Sequence, residues 1–105
     1  MYFKENSFST KNAIVVMANN NTTQSFCTTN GFILNKCENE EWVTISSWGT
    51  QEIGLFIPPS GTIEFTIDWV KEYKELEKGR YRLLKVNSSN YDSNPHENLI
   101  LEFEV

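Results

Sequence analysis

Apolar and polar residues alternate along much of this chain, most cleanly from Thr62 to Trp69. Ile63, Phe65, Ile67 and Trp69 fall on one parity, and Glu64, Thr66 and Asp68 on the other. Period two over that length predicts a half-buried β-strand. Leu99, Leu101 and Phe103 alternate with Ile100, Glu102 and Glu104 in the same way and predict a closing strand. Ala13–Ala18 (A-I-V-V-M-A) is β-branched and apolar, a buried strand. Further strands are expected over Tyr2–Phe8, Gln24–Cys27, Phe32–Cys37, Trp42–Ile45 and Arg80–Val86. Turn clusters separate them: Asn19–Thr22, the Asn30-Gly31 pair and Glu38–Glu41. Ser46–Ser60 carries Gly49, Gly54, Pro58 and Pro59 and reads as a crossover between sheets. Val70–Glu77 reads as a short helical turn with Val70, Tyr73 and Leu76 on one side, and Asn87–Asn98 as a polar loop. Strand signals every ~10 residues indicate an all-β sandwich of antiparallel strands, about seven of them.

The strongest local signal is Leu76-Glu77-Lys78-Gly79-Arg80-Tyr81, which runs straight into the alternating strand after it. Gly79 supplies the backbone freedom of a turn. Tyr81 is placed to bury its ring and bond its hydroxyl to backbone within Leu76–Gly79, the tyrosine-corner device.

The chain has 105 residues, enough for a single sandwich domain spanning 1–105 with one core. Its net charge is -5, and the densest lysines, Lys71, Lys74 and Lys78, are interleaved with Glu72, Glu75 and Glu77. A nucleic-acid surface needs a basic stripe, so nucleic acid is not an expected partner. No apolar run approaches the ~20 residues of a membrane helix, so no membrane insertion is expected. No signal segment precedes the first strand, so the chain reads either as cytoplasmic or as lacking an export signal. Cys27 and Cys37 read either as a disulfide, which would imply an oxidising compartment, or as two small strand residues.

With the strands placed, the chain resembles a bacterial immunoglobulin-like domain family of Gram-positive exported proteins and lipoproteins whose role is unassigned. The residues that carry the resemblance run in order: Phe32-x-Leu34-x-Lys36, then Trp42; Ile57-Pro58; Glu64-Phe65-Thr66-Ile67-Asp68-Trp69. Tyr73-Lys74-Glu75-Leu76, Gly79–Lys85 and Leu101–Val105 follow, and Asn12–Asn21 also fits. The resemblance implies an immunoglobulin-like antiparallel β-sandwich, an extracellular or cell-surface setting and no catalytic residues.

Reactive residues do not assemble into a site. His96 is the single histidine, in a polar loop with Asp92 and Glu97 as the nearest candidate ligands, and reads as solvated. A nucleophilic pair would need Cys27 or Cys37 beside His96 in space. The carboxylates Glu38, Glu40, Glu41 and Asp68 would suggest acid-base work or calcium. A sandwich of this size rarely has the cleft, no D-x-D-x-D-G loop is present, and Glu38–Glu41 reads as a solvated hairpin tip. Neither a phosphate loop nor a nucleophile elbow is present. No catalysis, metal or cofactor is therefore expected. Aromatics remain. Trp42 and Trp69 fit strand alternation and are expected in the core, whereas Trp48, in Ser46-Ser47-Trp48-Gly49, is expected to be exposed. Tyr91 sits in the polar loop. Asn20, Asn21 and Asn87 fit the glycosylation pattern, which matters only in a eukaryotic secretory pathway.

The expected function is a non-catalytic module that binds another protein or spaces a neighbour, through loops at one end or along a free sheet edge. Trp48 and Tyr91 are the expected contact residues. The alternative is carbohydrate binding, with Trp48 and neighbouring aromatics as a stacking platform.

Overall fold

The structure is a computed structural model and describes residues 1–49, 54–85 and 100–105. In chain order the strands are β1 (Tyr2–Phe3), β2 (Asn12–Ala18), β3 (Phe26–Thr28), β4 (Phe32–Glu38) and β5 (Glu41–Trp48). They continue with β6 (Leu55–Ile57), β7 (Thr62–Asp68), β8 (Arg80–Lys85) and β9 (Ile100–Glu104). One helical turn, α1 (Trp69–Glu72), follows β7. The strands form a three-stranded sheet β1-β2-β7, a four-stranded sheet β5-β4-β8-β9 and a small β3-β6 ladder, all antiparallel. This is an immunoglobulin-like all-β sandwich.

The core lies between the two larger sheets. Ala13, Val15 and Ile67 line one side, and Phe32, Leu34, Tyr81 and Leu83 line the other. Trp69 and Leu76 close it from the β7–β8 connection, and Phe65, Leu101 and Phe103 pack against it half-buried. The alternation of β7 and β9 thus faces inward as the sequence pattern requires. β7 ends where Asp68 caps α1, accepting a hydrogen bond from the Lys71 amide at 3.1 Å. Trp69 still points inward, but Val70 faces solvent and does not share a side with Tyr73 and Leu76.

The tyrosine corner forms as its spacing indicates. Tyr81 is buried, and its hydroxyl donates to the Glu77 carbonyl at 2.8 Å. Gly79 exchanges backbone hydrogen bonds with Val105 in both directions, which extends the β8–β9 ladder.

Three expectations shift at their edges. The first strand stops at Phe3, because Asn6 adopts a positive φ of 60° and the Ser7 hydroxyl donates to the Lys4 carbonyl at 2.7 Å. Inside the expected crossover, Leu55–Ile57 forms a short strand against β3. Asn19 anchors that region: its amide donates to the carbonyls of Gln24, Ile57 and Pro58, and its oxygen accepts from the Asn21 amide. The expected strand Trp42–Ile45 runs on to Trp48, and its pairing with β4 slips by one residue. Leu34 pairs with Ser46 and Asn35 with Thr44, so Ile45 is the extra residue of a β-bulge.

Removing the Tyr81 hydroxyl leaves the Glu77 carbonyl without its donor. Tyr81→Phe is expected to lower stability by about 1 kcal/mol or more in a denaturant melt. At the β4–β5 hairpin, Asn39 and Glu40 both take positive φ, 52° and 65°. That is the two-residue turn that favours Asn-Gly, and Glu40 holds the glycine position against its own Cβ. Glu40→Gly is expected to raise the melting temperature, by about 1 kcal/mol of stability; a fall would show that the turn gains from the Glu40 side chain.

Candidate functional site

The bulge at Ile45 reverses parity within β5. Before it, Trp42 pairs with Cys37 and Thr44 with Asn35, on the outer face of the sheet. After it, Trp48 pairs with Phe32 and turns inward. The two tryptophans therefore exchange the places expected of them. Trp42 is not in the core; it is half-exposed on the outer face. Trp48 is not free on a loop; it is half-buried, stacked on Phe32 at 5.8 Å and edge-on to Trp69 at 6.4 Å.

The outer face of β5-β4-β8-β9 has a built polar centre. Asn35 is only 3% exposed. Its amide donates to the Thr44 hydroxyl at 2.9 Å, and its oxygen accepts from Arg82 Nε at 2.7 Å. The Arg82 guanidinium lies over the Trp42 ring, 4.6 Å from its centroid, with Arg80 at 5.8 Å. Arg80 is paired with Glu102 at 3.1 Å. Arg82 has no ion pair among the described residues. The next row of the same face is apolar: Ile33, Leu84 and the exposed Ile100 stand side by side across three strands.

The inner end of this sheet is unusual in a different way. Phe32 is paired with Trp48 on one side and Lys85 on the other, so the chain leaves β5 and β8 at the same end. Gly49, at φ +82°, makes the exit from β5; a Cβ there would lie 2.3 Å from the Asn30 carbonyl oxygen. Lys85 is 6% exposed, and its ammonium has no hydrogen-bond partner among the described residues. It sits between the rings of Phe32 and Phe65, 4.0 Å and 4.1 Å from their centroids. Burial pushes its pKa down to about 7. The two ring faces favour the cation and oppose that shift.

Other expected site residues are dispersed. Glu38, Glu40 and Glu41 are exposed at the hairpin, and Asp68 is the α1 cap. Cys27 and Cys37 are half-buried, unbridged and on different sheets. Tyr91, Asp92, His96 and Glu97 lie outside the described residues. Among the described residues no group of acidic, cysteine or histidine side chains is arranged to hold a metal. No helix among them is long and apolar enough to cross a membrane. Sequence parity could have flagged two of the features found: Lys85 shares the inward parity of Tyr81 and Leu83, and Arg82 the outward parity of Arg80.

Against known families, the model of the bacterial Ig-like domain matches residues 1–98. The chain belongs to that family. No curated protein and no solved structure matches it. Membership accounts for the sandwich, and it supports a non-catalytic module. On that sandwich this chain carries an arginine held against a tryptophan outside, and inside a lysine unpaired among the described residues.

The Lys85 geometry has a definite sign in pH. In the unfolded chain the amine titrates at its ordinary 10.5, and in the fold at about 7. Between those values the unfolded state binds more protons, so stability rises with pH across this window and carries the full penalty below about 7. Lys85→Met keeps the apolar stem and removes the charge. It is expected to stabilise the domain at pH 7 by roughly 2–3 kcal/mol, the burial penalty less the ring attraction. The gap in melting temperature to wild type should close as pH approaches 10; a gap independent of pH would show that Lys85 titrates normally.

Proposed function

We propose that this bacterial Ig-like domain is a non-catalytic module of an exported Gram-positive protein, that it works at the cell surface, and that it binds another protein. The contact is made through the outer face of β5-β4-β8-β9. The observation that supports this is the Asn35–Arg82–Trp42 assembly. A buried asparagine on the solvent side of a sheet orients an arginine against a tryptophan. Trp and Arg are the side chains most enriched at energetic centres of protein interfaces. Held rigid before binding, they lose little conformational freedom when a partner arrives. The apolar row Ile33-Leu84-Ile100 supplies desolvated contact beside them.

A sugar platform calls for ring faces open to solvent. The stacked pairs here, Phe32–Trp48, Trp69–Phe103 and Tyr81–Phe103, each include a fully buried core residue. That favours the protein reading over the carbohydrate one. The two are separated by pull-down from a Gram-positive envelope extract together with a glycan array, using wild type, Trp42→Ala and Trp48→Ala. Trp42→Ala is expected to weaken capture of the protein partner about tenfold or more while the fold survives. Glycan binding that disappears in Trp48→Ala would replace this reading with the carbohydrate one.

A further inference from the structure

We infer that the outer face of β5-β4-β8-β9 recognises a carboxylate of its protein partner, an Asp or Glu side chain next to an apolar residue, and that Arg82 is the group that holds it. The inference rests on the binding reading of this face and adds the chemistry of the partner.

Three features of Arg82 point to it. Its Nε is already committed to Asn35, at 2.7 Å, so the guanidinium can rotate little about its stem. Its plane is held over Trp42 at 4.6 Å. The two terminal nitrogens, Nη1 and Nη2, take part in no hydrogen bond or ion pair with the described residues. A guanidinium fixed through Nε and one ring face keeps the fork of its Nη groups for a planar anion. The sheet's own carboxylates do not fill that position. Glu102 stands opposite Arg82 in the β8–β9 register, yet its carboxylate is paired with Arg80 at 3.1 Å. Arg80 and Arg82 thus share one ring, and Arg80 takes Glu102 although Glu104 stands opposite it in the register.

The residue that holds Arg82 is itself buried: Asn35 is 3% exposed and is fixed in turn by the exposed Thr44, so the orientation of Arg82 is set from within the sheet. An arginine half-buried without an acidic partner among the described residues is complementary to an incoming carboxylate, and that local complementarity acts against the chain's overall charge of -5. The neighbouring row, Ile33, Leu84 and Ile100, has no charge and is partly open, which fits an apolar side chain adjacent to the acid. A peptide segment offers both groups together; an acidic polysaccharide offers the carboxylate without the apolar neighbour.

The test is selection of a phage-displayed library of random linear peptides on the immobilised full chain, followed by affinity measurements on the selected peptides. Selected peptides are expected to carry Asp or Glu beside an apolar residue. Arg82→Gln should weaken them about tenfold or more, and Arg82→Lys nearly as much, because lysine keeps the charge without the fork. In the wild type the Arg82 Nε–H resonance should shift on addition of a selected peptide, a readout independent of how well either variant folds. Selected peptides without an acidic residue, full rescue by Arg82→Lys, or an unmoved Arg82 resonance would overturn the inference. Arg82-dependent binding of polygalacturonate with no peptide enriched would overturn it in favour of an acidic glycan. Arg82-dependent dimers in sedimentation would overturn it in favour of a second copy of this chain. Loss of binding in Trp42→Ala with none in Arg82→Gln would leave the face as a binding surface and remove the carboxylate. Loss in neither would remove both.

Discussion

The two sheets of this domain are joined by an aromatic stack that runs through the interior. Trp69, carried from the β1-β2-β7 side, lies on Phe103 at 5.8 Å, and Phe103 lies on Tyr81 at 5.5 Å. Tyr81 in turn fastens the β7–β8 connection through its hydroxyl bond to Glu77. Stacked rings bury large areas and fix relative orientation, so one column sets both the separation of the sheets and the path of the crossing chain. Phe3 and Phe8 close on Phe103 at 5.0 and 5.5 Å, which recruits the N-terminal segment to the same column. The stack has one uncompensated atom: the Trp69 indole nitrogen is buried without a hydrogen-bond partner among the described residues. A buried N–H left unpaired costs roughly 1–3 kcal/mol. The ring's apolar area and its stacking outweigh that loss.

On this frame, one extra residue determines which tryptophan faces outward. Trp42 and Trp48 are an even number of positions apart, so an unbroken strand would put both on one face. The bulge at Ile45 separates them. Ile45 itself packs toward the core, and the strand resumes with opposite parity. Trp48 then fills the interior against Phe32, and Trp42 is left outside for Arg80 and Arg82 to cover. The bulge also divides the free edge of β5. Beyond it Ser46 donates to the Glu72 carbonyl of α1, which covers that half. The half from Glu41 to Thr44 has no strand partner beyond β4 among the described residues, so strand addition has a shorter template than the length of β5 suggests.

This arrangement explains what was legible in the sequence. The alternation of Thr62–Asp68 and of Leu101–Glu104, the buried run Ala13–Ala18 and the Leu76–Tyr81 corner were readable because each depends only on local parity or spacing. Two elements were harder. β6 has three residues between Gly54 and Pro58, too short for a period to show. The first strand looked longer than it is, since an Asn at positive φ carries no mark until the Ser7 bond is seen. The exchange of the two tryptophans was not readable at all. A bulge is a mismatch between two strands, and neither strand's sequence records the register of its neighbour. The outer-face assembly is hidden for the same reason: Asn35, Thr44, Arg82 and Trp42 come from three strands and meet only through the pairing.

Arg82 and Lys85, neither of them ion-paired among the described residues, sit on opposite sides of the same sheet, and their surroundings give them different meanings. Lys85 lies inward between rings of Phe32 and Phe65, with its charge unpaired among the described residues. Its neighbours on the inward parity of β8 are Tyr81 and Leu83, so no carboxylate on its own strand offsets the burial. Such a group lowers stability most at low pH. Arg82 is held as firmly, but from beneath, by an asparagine that leaves the terminal nitrogens outward. An inward cation without a partner is a strain on the fold; an outward one, fixed in place and flanked by an aromatic ring and an apolar row, keeps its charge at the surface at little cost. The distinction follows from strand parity alone, because Arg82 and Lys85 differ by an odd number of positions along β8.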